Sequence, residues 1–129
     1  MSATLLKRVR DHIFIDGGLL TGFETRYFRW TDADLQGSAD IALFRMSGTF
    51  GDTVEAVQFN DVSLYAMCDA ESVKSTDDAM LAVLQYLRAD YSTAGVFGMT
   101  PIGTYTGPTA LQNGRCIFEM VIRCGTEDH

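Results

Sequence analysis

The chain has 129 residues, of which 47% are hydrophobic and 21% charged, and its formal net charge is −7. These are globular values and exclude global disorder. The acidic sum argues against a general binder of nucleic acid or anionic membrane, which needs a basic footprint.

The length suits a single domain, 1–129, that buries a core without disulfides or a structural metal. Residues 3 to 15 read as an amphipathic helix. Leu6, Val9 and Ile13 share a stripe with Leu5 beside it, and Lys7, Arg8 and Asp11 face away. Asp16-Gly17-Gly18 is a stop signal, and "LLTGFE" reads as a loop. "TRYFRW", Thr25 to Trp30, is a strand in which aromatics alternate with Arg26 and Arg29. "TDADLQGSAD", residues 31 to 40, is a polar, acidic loop, and "IALFRMS", Ile41 to Ser47, a second strand. "GTFGD" turns the chain at Gly48 and Gly51. A third strand lies within Val54 to Cys68, with Asn60-Asp61 as a break or bulge. In it Val62, Leu64, Ala66 and Cys68 face one way and Ser63, Tyr65 and Met67 the other.

"STDDAMLAVLQYLRADY" is the clearest helix. Ser75 followed by Asp78 resembles a capping box, and Met80, Val83, Leu84, Leu87 and Tyr91 form an apolar stripe. A strand near Met99 to Thr106 contains Pro101, which marks an edge, and Gly107-Pro108 ends it. Asn113-Gly114 is a hairpin signal before the last strand. That strand sets Cys116, Phe118, Met120, Ile122 and Cys124 on one face, and Ile117, Glu119, Val121 and Arg123 on the other. The order α-β-β-β-α-β-β predicts an α+β two-layer domain, a mostly antiparallel sheet with the helices packed on one face. The ordered part is expected over about 3–124, with 125–129 a flexible tail. Two helices leave the second sheet face bare. Either loops 17–24 and 92–98 fold over it, or a neighbouring molecule does.

Chemistry is hard to find. The three cysteines, Cys68, Cys116 and Cys124, include no C-x-x-C, and two of them share one strand too far apart to bridge. They read as reduced, buried thiols, which suits a cytosolic site of synthesis. His12 and His129 fall in no ligand spacing, and phosphate-loop, dinucleotide and nucleophile-elbow motifs are absent. Asp32, Asp34, Gln36 and Gly37 echo a calcium loop with Asp40 at its ninth position, but the twelfth is Leu43 where a bidentate Glu belongs. The loop therefore reads as an acidic contact loop. "RYFRW" could stack bases in a basic protein; here it reads as core aromatics with two arginines paired to carboxylates. Met67, Met80, Met99 and Met120 are core or adaptable interface positions. No catalytic, cofactor-binding or metal-binding residue is singled out, no signal peptide is visible, and no apolar run approaches a membrane span. The pattern favours a protein that works by binding.

The whole order of elements carries a resemblance. A first amphipathic helix leads into three strands with a Gly-rich turn in "FRMSGTFGDT". "NDVSLYAMCDA" feeds the helix "DDAMLAVLQYLRADY", and "IGTYTGPTALQNGRCIFEMVIRC" closes the chain with a hairpin and an alternating strand. From Leu5 to Cys124 the chain resembles the tail terminator (tail completion) proteins of long-tailed bacteriophages. The resemblance implies a structural protein without catalysis, made in the host cytoplasm and resident in the neck region of the virion tail. It implies a six-fold ring of identical subunits on the tail tube, ending tube growth and joining the tail to the head-connector (stopper) protein. DNA would be a partner only as it passes through, and an acidic bore suits that passage by repelling phosphates. On this view the bare sheet face is the candidate subunit interface, with Arg45, Ser63, Tyr65, Met67, Ile117, Glu119, Val121 and Arg123. Asp32, Asp34, Gln36 and Asp40 in one loop, and Thr49, Phe50 and Asp52 in the other, are candidate contacts to the tube or connector. The alternatives are a head-closure or neck component, or a small cytosolic α+β ligand-binding domain or enzyme with a pocket built from Tyr27, Trp30 and Tyr65.

Overall fold

The computed structural model describes residues 2–54, 57–93, 96–111 and 113–127, with the backbone alone at 2–4, 47–54, 57–58, 97 and 127. The N-terminal stripe folds as α1 (Ser2–Asp11), and His12–Asp16 continues it as one π-helical turn. Leu5, Leu6, Val9 and Ile13 are buried, as the helical period predicts. The π turn carries His12 inward. Its Nδ1 lies 3.2 Å from Asp16 Oδ2 and its Nε2 2.7 Å from the carbonyl oxygen of Asp90. Asp90 follows the long helix α3 (Val73–Ala89), so the two helices are fastened end to end.

The first strand, β1 (Glu24–Tyr27), is shorter than the predicted Thr25 to Trp30. It stops at Phe28, whose φ of +76° is a left-handed conformation in a bulky residue. The Arg29 amide donates to the Tyr27 carbonyl at 3.0 Å, closing a γ-turn of the rare, strained kind. The predicted loop 31–40 contains a short helix, α2 (Asp32–Gln36), with a true capping box. Thr31 Oγ1 accepts from the Asp34 amide at 3.1 Å, and Asp34 Oδ2 accepts from the Thr31 amide at 3.0 Å. The box predicted at Ser75 and Asp78 does not form. The long helix starts earlier, at Val73, and Ser75 Oγ donates to the Ser72 carbonyl instead.

Strands β2 (Ile41–Val54) and β3 (Val57–Asp69) form a long hairpin. The predicted "GTFGD" turn lies inside β2, because the ladder runs past its glycines with register shifts at Met46/Gly48 and Thr49/Thr53. The ladder runs on to the pair Val54–Val57. Two short strands, β4 (Val96–Pro101) and β5 (Thr106–Ala110), replace the single strand predicted near Met99 to Thr106. Both lie along one edge of β6 (Arg115–Glu127). The last strand does not end at Cys124. Gly125, Thr126 and Glu127 pair with Phe59, Gln58 and Val57, so the expected flexible tail is sheet up to Glu127.

Among the described residues the sheet has six strands, in the order β1-β2-β3-β6-β4 with β5 also on β6. Every pairing is antiparallel except β1 with β2. The long helices pack on one face, as predicted for an α+β two-layer domain. Their apolar stripes meet Ala42, Phe44, Leu64, Phe118, Met120 and Ile122 in the core. Burying each large side chain there contributes about 1.5–3 kcal/mol. Tyr91, placed on the α3 stripe by its spacing, lies beyond the helix end and is exposed.

Candidate functional site

Side chains of β2, β3 and β6 that alternate away from the core form a grid on the face opposite the two long helices. Its rows are Ile41–Met67–Ile117, Leu43–Tyr65–Glu119, Arg45–Ser63–Val121 and Asp61–Arg123. Phe59 and Gly125 form the next row, and β4 extends the last two with Thr100 and Gly98. The structure therefore brings Arg45, Ser63, Tyr65, Met67, Ile117, Glu119, Val121 and Arg123 onto one face.

One end of this face is covered from within. Parallel neighbours such as β1 and β2 need a crossover, and residues 28–40 supply it. Arg115, in phase with Ile117 and Glu119, draws that crossover onto the grid side. Its Nη1 donates to the carbonyls of Asp34 at 3.0 Å and Gly37 at 2.6 Å, and its Nη2 donates to the Ala39 carbonyl. The Asn113 side-chain amide donates to the Leu35 carbonyl. Beneath this segment Ile41, Leu43 and Met67 are buried. Of the loops predicted to do this, 17–24 lies on the helix side instead, with Leu20 in the core there and Leu19 and Phe23 packed against it; of the other, 96–98 belong to β4 and 94–95 lie outside the described residues. Sequence reasoning passed over Arg115. Its signal was an arginine heading an apolar strand, directly after Asn113-Gly114 and in phase with the second face.

The acidic loop, itself part of this crossover, is also tied down from β1. Arg26 Nε lies 3.2 Å from both Asp34 carboxylate oxygens, and its Nη2 donates to Glu24 Oε1 at 3.1 Å. Burial would raise the Asp34 pKa, but hydrogen bonds from the Thr31 amide, Arg26 and the Thr31 side chain outweigh it and hold the carboxyl below its ordinary value. Asp34, predicted as an outward contact, is thus spent internally. Asp32 and Gln36 are exposed on α2, while Asp40 is half-buried with its pKa raised by that burial. Thr49, Phe50 and Asp52 sit in β2, and their side chains lie outside the described residues. Among the described residues no group of three or more His, Cys, Asp or Glu is placed to hold a metal ion.

The rest of the grid is more open: Tyr65, Glu119, Val121 and Arg123 are half-buried, although Ser63 between them is buried. Arg45 is exposed, its guanidinium carbon 5.7 Å from the centre of the Tyr65 ring. Ser63 Oγ donates to Glu119 Oε2 at 3.5 Å. Arg123 Nε donates to Asp61 Oδ1 at 3.0 Å. Burial, then the Glu119 carboxylate, raises the Tyr65 phenol. Half-buried Tyr65, Ile117 and Val121 are left among Arg45, Glu119 and the Arg123–Asp61 pair, the layout of an apolar centre within a polar rim. Beyond Arg123, two glycines without side chains, Gly98 and Gly125, face Phe59. They leave a recess of about 290 Å³ that Thr100, Pro101, Ile102 and Arg123 complete.

The other chemistry weighed from the sequence is not assembled. Tyr27 packs toward Phe44 on the helix side, ring centres 6.4 Å apart, whereas Tyr65 lies on the opposite face. The Tyr27–Trp30–Tyr65 pocket therefore does not form. Cys68 and Cys124 are free and buried on the helix side, where burial raises both thiols, Cys124 to about 12. That disfavours the thiolate a nucleophile needs. Among the described residues no helix is long and apolar enough to cross a membrane. A family model described as phage tail termination protein matches residues 3–128. No curated protein matches the chain.

Proposed function

The chain belongs to the phage tail termination protein family, and from that premise we propose that it is a non-catalytic ring subunit of the virion neck. Identical copies join in a six-fold ring that caps the tail tube, ends its growth and offers its other side to the head connector. A ring of one chain needs a patch on each copy that fits a different patch on the next. The observation that carries the proposal is the open half of the grid, where Tyr65, Ile117 and Val121 stand half-buried inside a rim of Arg45, Glu119 and Arg123. A neighbouring copy completes that burial. Exposed Asp32 and Gln36 supply contacts to the tube or connector, and the net charge of −7 suits a passage through which DNA slides.

Mass measurement across a concentration series, with negative-stain imaging with and without purified tail tubes, tests this directly. Closed rings with a central hole are expected. A chain that stays monomeric at high concentration and forms no ring on tubes defeats the proposal. Tyr65→Glu is expected to abolish the ring while the monomer keeps its melting temperature; rings that persist in this variant exclude the grid as the interface.

A further inference from the structure

The grid is one half of a contact, and its complement must lie elsewhere on the same chain. The backbone marks the place. Phe28 sits at φ +76° in a γ-turn at the end of the edge strand β1, and its side chain is 50% exposed. A bulky residue is strained there and still leaves half its surface in solvent, a combination that belongs with sites of contact. At the far edge of the sheet the glycine pair Gly98–Gly125 opens the recess of about 290 Å³, with Phe59 and Ile102 as its apolar walls. For scale, a protein cavity of about 150 Å³ accommodates benzene.

Charge bears on the direction of the contact, not on its place. Residues 1–30 sum to +2 and the remaining residues to −9. The basic stretch is held together at one edge, where Arg10 Nε donates to Thr25 Oγ1 at 3.1 Å. Two copies meeting through the same acidic surface repel each other. The basic α1–β1 edge of one copy against the acidic body of the next attracts, and its direction is head-to-tail.

We propose that Phe28 of each copy inserts into the Phe59–Gly98–Gly125–Ile102 recess of the adjacent copy. The contact rests on the ring proposal and gives it two unlike patches on opposite sheet edges. The recess adjoins the open grid through Arg123 and Thr100, so an inserted Phe28 brings the β1 edge over that face.

Two variants separate the patches. Phe28→Ser removes the knob, and Gly98→Leu fills the recess, since a Cβ at Gly98 meets nothing within 4 Å. Each alone is expected to stay monomeric where wild type forms rings. Mixed one to one, they are expected to give a heterodimer and nothing larger, because one intact knob meets one intact recess. Phe28→Gly is expected to lose assembly while its monomer melts at the same temperature or higher, because glycine accepts the positive φ freely. Wild-type rings that persist in both single variants overturn this contact and leave the ring standing, as does a mixture that yields no heterodimer. Rings that form but no longer bind tail tubes in Phe28→Ser also overturn it, assigning Phe28 to the tube subunit. A wild-type chain that never forms rings overturns the ring and the contact together.

Discussion

Arg115 holds the β1–β2 crossover onto the sheet by three backbone carbonyls, at Asp34, Gly37 and Ala39. Its guanidinium is buried, and its Nε lies 3.6 Å from Asp69 Oδ1. Arg115→Met keeps the length of the side chain but leaves those carbonyls without donors. We expect a loss of about 3 kcal/mol in urea unfolding, and Lys in its place should not restore it, because one ammonium lacks the planar fork. The apolar half of the residue-scale reading was legible: Leu6, Val9, Met80, Leu84 and Phe118 are buried where periodicity put them. Arg115 was not, because a charged side chain reveals its partners only once distant backbone is brought to it. Gly107 was read as a breaker, yet its φ of +130° and its close approach to the Ile117 carbonyl make it part of the β5–β6 contact.

Among the elements, α2 shows how far a local signal can be displaced. Ser75 and Asp78 have the spacing of a capping box, but the helix begins upstream of them. Thr31 and Asp34 have it too, inside a segment read as loop, and there it forms. Thr31→Ala should cost about 1 kcal/mol, measured by thermal or urea unfolding. Because the Asp34 carboxyl is held below its ordinary value of 3.8, its stabilisation is present above that pH and is lost as pH falls through the lower folded value. Unfolding free energy followed from neutral pH to below 3.8 should therefore drop less in Asp34→Asn than in wild type. Element order and type were legible because stripes and alternation are local. The extents of β2 and β6 were not, since a ladder can carry strands through "GTFGD" and "CGTE" against local preference.

At the scale of the whole molecule, the bare second face was legible as a count: two long helices, two faces. Which part stays bare was not, because that depends on a crossover whose anchor, Arg115, lies 81 residues from Asp34. The asymmetry of charge was plain from the start, and it makes one further expectation. If a basic edge meets an acidic body, ring assembly should weaken as salt rises, since the Debye length shrinks from about 10 Å at 0.1 M to about 3 Å at 1 M. Sedimentation of the wild-type chain across that range measures it. An assembly constant indifferent to salt would place the contact wholly in apolar burial.

The sheet's two rims have a consequence of their own. On one side β1 offers only four residues. On the other, the run from Val96 to Ala110 is interrupted between Pro101 and Thr106, and Pro101 and Pro108 have no amide hydrogen to give. Beyond β1 the rim passes to β2, which runs on from Arg45 to Val54, and there the register shifts at Met46/Gly48 and Thr49/Thr53 break up the flat row of amides and carbonyls on which stray strands stack into fibres. Molecules that accumulate before any tail is ready for them can wait side by side without templating one another. A chain whose family closes off one polymer thus gives little purchase for starting another.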